Sequence, residues 1–279
     1  MSVASKPEAA AEPPAARKPS VFTPRRRALA LCAVVLAGFL AVSTTVALPY
    51  TRTWPGDTAN ALGSYEGARV LSITGAPVRQ TTGALRVVTI RADGPTVSIS
   101  LEQALAAWLN PKVAVLPREA VYPQTNATQA NQVSAQQMTQ AQDSATTAAL
   151  NYLHLSPDQV KVSVDLGDIG GPSGGQMMSL AIIDKLVGDG KGGDLTDGRN
   201  IAGTGTIDDN GSIGAVGGVA LKTWAAARDG ATVFLVPRAE CSDAKVNTPP
   251  GLRLVPVNTL LDSLRALGEL EHGGTVPSC

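Results

Sequence analysis

Two residues in this chain have the type and setting for covalent chemistry. Ser173 lies in Gly170-Gly171-Pro172-Ser173-Gly174-Gly175, and Lys222 ends Gly217-Gly218-Val219-Ala220-Leu221-Lys222. Both segments lead into apolar residues at helical spacing, so both side chains are predicted near helix starts. A hydroxyl is a poor nucleophile at neutral pH unless a neighbour takes its proton, and a neutral amine can take it. The pair is therefore a candidate Ser–Lys dyad. To serve as the base, the amine must fall from a pKa of about 10.4 to near 7–8, a difference of roughly 3–4 kcal/mol. A position in the first turn of a helix, at the positive end of the dipole, already disfavours a charged lysine.

The helix expected from Ser173 to Leu186 is entered through Pro172, whose missing N–H would lack a partner there anyway. Its first N–H groups would stabilise the oxyanion formed when Ser173 attacks a carbonyl. The backbone N–H of Ser173 is one candidate donor, and the second stays open between Gly170 and Gly171. Met177 and Met178 are expected in the core or a pocket wall. Asp208-Asp209 is expected to be turn chemistry before Asn210-Gly211. Gly171-Pro-Ser173-Gly-Gly175 also satisfies G-x-S-x-G, the nucleophile elbow of Ser–Asp–His hydrolases. That alternative needs a downstream histidine; His272 is the single one, and His154 precedes the serine. A catalytically silent, anchored binding scaffold is the third reading.

The words GGPSGGQMMSLAIIDKL and AGTGTIDDNGSIGAVGGVALKTWAAARDGATVFLVP resemble the proteolytic domain of Lon-type serine proteases. The whole chain resembles the membrane-anchored, ATPase-free Lon-like proteases of actinobacteria. The resemblance implies an α/β domain with a mixed sheet and packed helices. It also implies endopeptide hydrolysis of polypeptide substrates without metal or nucleotide cofactor, and assembly into a homo-oligomeric ring, hexameric in the family. By the same resemblance Thr204 supports the dyad through its hydroxyl. Thr206, two residues on, is a weaker rival expected on the same strand face. Two departures stand out: the family's Gly-Pro-Ser-Ala-Gly has Gly174 in place of Ala, and an acid found three residues before the serine is here Gly170. A role for Asp168 therefore has little support. Family members usually carry a PDZ domain before the strand leading to the serine; here Leu155-Ser-Pro-Asp-Gln runs straight into Val160, leaving no room for one.

These residues need elements to position them. Ala28 to Leu48 is uncharged and about long enough to span a bilayer. Arg25, Arg26 and Arg27 precede it and only Arg52 closely follows, which by the positive-inside rule puts the N-terminus in the cytoplasm and the remainder outside the cell membrane. The expected organisation is a disordered tail over 1–27, a transmembrane helix over 28–49, a small β-rich segment over 50–118, the protease domain over 119–272 and a short tail over 273–279. Within it, residues 50–66 read as a connector, Arg69–Ile73 and Leu85–Ile90 as strands, and Leu101–Leu109 as a helix capped by Ser100 or Ser98. A helix is expected over Val133–Leu153 and a strand over Val160–Leu166. Ser212–Val216, Val219–Arg228, Arg253–Val257 and Asn258–Leu267 complete the set as strand, helix, strand and helix. Zero net charge and 4% aromatic residues argue against a nucleic-acid partner. The three cysteines form no CxxC pair, so a zinc site is not expected. Cys241 and Cys279 can pair if the domain faces an oxidising compartment.

Overall fold

The computed structural model describes residues 23–123, 126–167, 169 and 171–279. The expected tail up to residue 22, Asp168 and Gly170 lie outside these residues. Contacts divide the chain into two units, Met1–Val46 and Ala47–Cys279. In the first, α1 (Pro24–Thr45) opens with Thr23 as cap and Pro24 in its first turn. It is 22 residues long, has a mean hydropathy of 2.2 and buries none of its side chains. At 1.5 Å per residue it is long and apolar enough to cross a bilayer.

In the second unit the elements run β1 (Tyr50–Asn60), β2 (Ser64–Tyr65), β3 (Ala68–Arg69), β4 (Leu71–Thr74), β5 (Ala84–Ala92), α2 (Leu101–Trp108), β6 (Ala114–Pro117) and α3 (Arg118–Val121). Then come α4 (Ala127–Leu153), β7 (Lys161–Val164), a 3-10 turn (Pro172–Gly174), α5 (Gly175–Leu186), β8 (Asn200–Gly203), β9 (Thr206–Ile207) and β10 (Ile213–Gly214). The chain ends with α6 (Val219–Arg228), β11 (Val233–Pro237), α7 (Cys241–Lys245), β12 (Arg253–Val257) and α8 (Leu260–Glu271).

Six strands form one mixed sheet in the order β12-β11-β8-β5-β1-β6. β12, β11, β8 and β5 are parallel, whereas β1 is antiparallel to both β5 and β6. Side chains alternate between its faces. Val233 and Leu235 point into a core shared with α4, α5 and α8, while Phe234 and Val236 point into a second core under α6 and α7. The result is the expected α/β architecture, a sheet covered by helices on both sides.

Residues 50–66 are not a connector. Tyr50–Asn60 is a strand inside the main sheet, and β1, β5 and β6 from the first part of the chain share that sheet with β8, β11 and β12. Within β1, Pro55-Gly56-Asp57 is where the β1–β5 register shifts. A bulge tolerates proline because no ladder bond is lost there, and Gly56 leaves no room for a Cβ against the Thr89 backbone. The expected strand before the serine is β7; it pairs with β4 in a separate ribbon and not with the main sheet. α4 starts six residues earlier than expected because Asn126 caps it, accepting the Gln129 N–H. Its Ala141, Ala145, Ala148 and Ala149 are buried, and small residues let α5 approach closely enough for Ser179 Oγ to donate to the Ala145 carbonyl at 3.0 Å.

Candidate active site

The site forms where the parallel strand β8 ends, the usual place for function in open α/β sheets. Thr204 directly follows β8 and its N–H donates to the Leu235 carbonyl at 3.0 Å, extending the pairing with β11 by one residue. At Gly205 the chain leaves the sheet, and Thr206 begins the β9–β10 hairpin. A single strand carrying both threonines does not form. Thr204 is fully buried and Thr206 half-buried, so they no longer act as equivalent hydroxyls.

Ser173 sits in the middle of the 3-10 turn, half-buried, and α5 proper begins two residues later, at Gly175. The helix expected from Ser173 thus opens with a tighter turn, a common form of helix start. Two glycines allow this packing. A Cβ on Gly174 would lie 2.8 Å from Val87 Cγ1 on β5, and one on Gly175 would lie 2.9 Å from Ile207 Cγ2 on β9. The departure from the family's Ala at position 174 is therefore matched by Val87, which fills the space.

Backbone bonds hold Ser173 in place. Its carbonyl accepts the Gly205 N–H at 2.8 Å and the Thr204 hydroxyl at 3.1 Å, while Gln176 N–H donates to the Gly205 carbonyl at 3.2 Å. Lys222 projects from the first turn of α6, whose start is set by Gly218 in the left-handed region at φ 70°. The lysine is 4% exposed, and its Nζ donates to Thr204 Oγ1 at 3.1 Å. Burial pushes its pKa down to about 8, and the Glu240 carboxylate pulls weakly the other way. Because the Thr204 proton goes to the Ser173 carbonyl, Thr204 Oγ1 is an acceptor toward the amine. No hydrogen bond joins Ser173 Oγ directly to Lys222 Nζ among the described residues.

Of the other expected positions, Gly171 precedes the turn at φ 107° with open space where a Cβ would be, whereas Gly170 lies outside the described residues. Cys241 and Cys279 are joined as a disulfide with their Cα atoms 5.3 Å apart. His272 caps the far end of α8, 3.4 Å from Lys191 Nζ, and lines a cavity of about 520 Å³ with Ile183 and Val187 from the C-terminal end of α5. Ser173 lies at the opposite end of α5, and a helix of 12 residues is about 18 Å long, so no Ser–His contact forms.

Two neighbours of the site were assigned no role from the sequence. Glu240 is the charge nearest in effect to Lys222, yet it follows β11 in a stretch without any motif. Gln176 is fully buried three residues after Ser173; its Nε2 donates to Ser263 Oγ at 3.1 Å, and its Oε1 has no partner among the described residues. Residues 129–265, which include Ser173, Thr204 and Lys222, match the Lon protease (S16) C-terminal proteolytic domain, so this part of the chain is a Lon-type serine protease domain.

Proposed function

We propose that this protein is a membrane-anchored, ATP-independent serine endopeptidase in which Ser173 and Lys222 form the catalytic dyad. The observation that carries this reading is the buried Lys222 amine, its pKa lowered by burial to about 8, linked through Thr204 to the backbone of Ser173. With Thr204 accepting one N–H, the lone pair of the neutral amine is left for the Ser173 hydroxyl proton. Rotation of the Ser173 side chain on substrate binding closes that contact; such bonds are often long before substrate arrives. The Ser173 oxygen then attacks the scissile carbonyl, its proton passes to Lys222, and N–H groups at the start of the turn hold the oxyanion. We assign the Ser173 N–H to this hole, with Gly171 or Gly170 beside it. Lys222 returns the proton to the leaving amine, and water resolves the acyl-enzyme.

The apolar α1, preceded by Arg25–Arg27, supports a single-pass anchor with a cytoplasmic N-terminus. The Cys241–Cys279 disulfide favours an oxidising, extracytoplasmic setting for the domain. Only seven residues, His154 to Val160, join α4 to β7, which supports recruitment of substrates without an inserted PDZ domain. Assembly into a ring follows from the family resemblance alone. Ser173→Ala tests the whole reading: the variant should lose both peptide hydrolysis and covalent labelling by serine-reactive phosphonates. Retention of both would sink it. A wild-type protein that neither labels nor cleaves would favour the silent scaffold.

A further inference from the structure

Helix α2 is packed the wrong way round for a solvated surface. Its buried positions are the small Ala104 and Ala107, while Leu101, Leu105, Trp108 and Leu109 are exposed, Trp108 by 66% and Leu109 by 87%. At 100° per residue these four cover an apolar stripe roughly 100° wide, clear of the alanine side that packs inward. Contiguous exposed apolar surface of this kind marks an interaction site.

Chain connectivity indicates the occupant. α1 ends at Thr45, and three residues on, within about 11 Å of covalent reach, Leu48 N–H donates to the Ile99 carbonyl at 2.9 Å. Ile99 directly precedes Ser100, whose capping box starts α2. The Arg118 guanidinium fastens this end by donating to the Val97 carbonyl at 2.7 Å, the Ser98 hydroxyl at 3.3 Å and the Leu48 carbonyl at 3.4 Å. Val97 and Tyr50, exposed on the same connected segments, add apolar surface. The stripe itself carries no charge, and tryptophan beside leucine is the composition favoured at the headgroup boundary.

We propose that α2 lies on the outer surface of the bilayer, its Leu101–Leu105–Trp108–Leu109 face inserted at the headgroup boundary as a second membrane contact. This rests on the anchored reading above. It would restrain a domain otherwise held by a single tether, so that substrates approach from the side away from the lipid.

The test uses full-length protein in phosphatidylcholine–phosphatidylglycerol vesicles. Leu109→Cys in a Cys32→Ala background places an environment-sensitive fluorophore on an exposed position, and the other two cysteines are joined as the disulfide. With the face about 5–10 Å into the boundary, nitroxides near the top of the acyl chain should quench the label at least about twofold more than aqueous iodide does. Protein that floats with vesicles but carries an iodide-accessible label overturns the inference and leaves the anchor intact. A blue-shifted label quenched by neither agent means the stripe is covered by a second copy, which also overturns it. Protein that does not float with vesicles overturns anchor and inference together. Correct folding is checked by labelling of Ser173 in the same sample.

Discussion

Lys222→Met should abolish peptide hydrolysis and yet make the protein more stable. In the fold the lysine pKa is about 8, against an ordinary 10.5. The unfolded chain therefore holds the proton more tightly than the folded one. Stability rises as pH climbs from about 8 to about 10.5, and below about 8 the full penalty of the buried charge remains. At pH 7 the linkage relation puts that penalty at about 3 kcal/mol. Methionine has similar length and no charge, so it removes the penalty while forfeiting the bond to Thr204 Oγ1, worth about 1 kcal/mol. The net gain is about 2 kcal/mol, or roughly 4–8 °C in Tm for a domain of this size. The comparison is best made by thermal unfolding in detergent between Ser173→Ala and Ser173→Ala/Lys222→Met, since neither variant can digest itself. The advantage should vanish above pH 10.5, where the wild-type amine is neutral in both states. A Tm that falls at pH 7, or a single Lys222→Met variant that still cleaves peptides, would refute the reasoning.

Thr204→Val keeps the shape but removes the hydroxyl that links Lys222 to the Ser173 carbonyl; kcat should fall roughly 10–100-fold, and Thr204→Ser should restore most of it. Since only the neutral amine can accept a proton, kcat/KM should rise with pH through an acid limb near 8. Glu240→Gln removes the charge that raises the lysine pKa, so that limb should move to lower pH; an unmoved or upward-shifted limb would contradict the assignment. Gly174→Ala forces a methyl against Val87 and should cost about 1–3 kcal/mol by denaturant unfolding. Val87→Ala in the same chain should recover much of that loss, with the coupling read from a double-mutant cycle.

Local pattern made much of the site legible. Val219–Arg228 forms a helix over the expected residues, and Asp209-Asn210-Gly211 turns the chain between β9 and β10, because periodicity, glycine and turn residues act over a few positions. The capping box at Ser100 is equally local. Membership of β1 in the sheet was hidden because Pro55 and Gly56 look the same in a bulge as in a turn until the partner strand is known. Glu240 and Val87 were hidden for a related reason: they act on the site by closeness in space while lying far from Lys222 and Ser173 along the chain, and Gln176, though near Ser173 in sequence, gains its partner Ser263 only in the fold.

From the sequence alone came the candidate nucleophile, the candidate base, their order along the chain and an apolar segment long enough for a bilayer. Only the tertiary structure decided that Lys222 is stripped of water, that Thr204 alone of the two threonines reaches it, and that bulky side chains of α2 face outward. Helix and turn preferences are written in neighbouring residues. A pKa, a close methyl contact or an uncovered face depends on which distant segments the fold brings together.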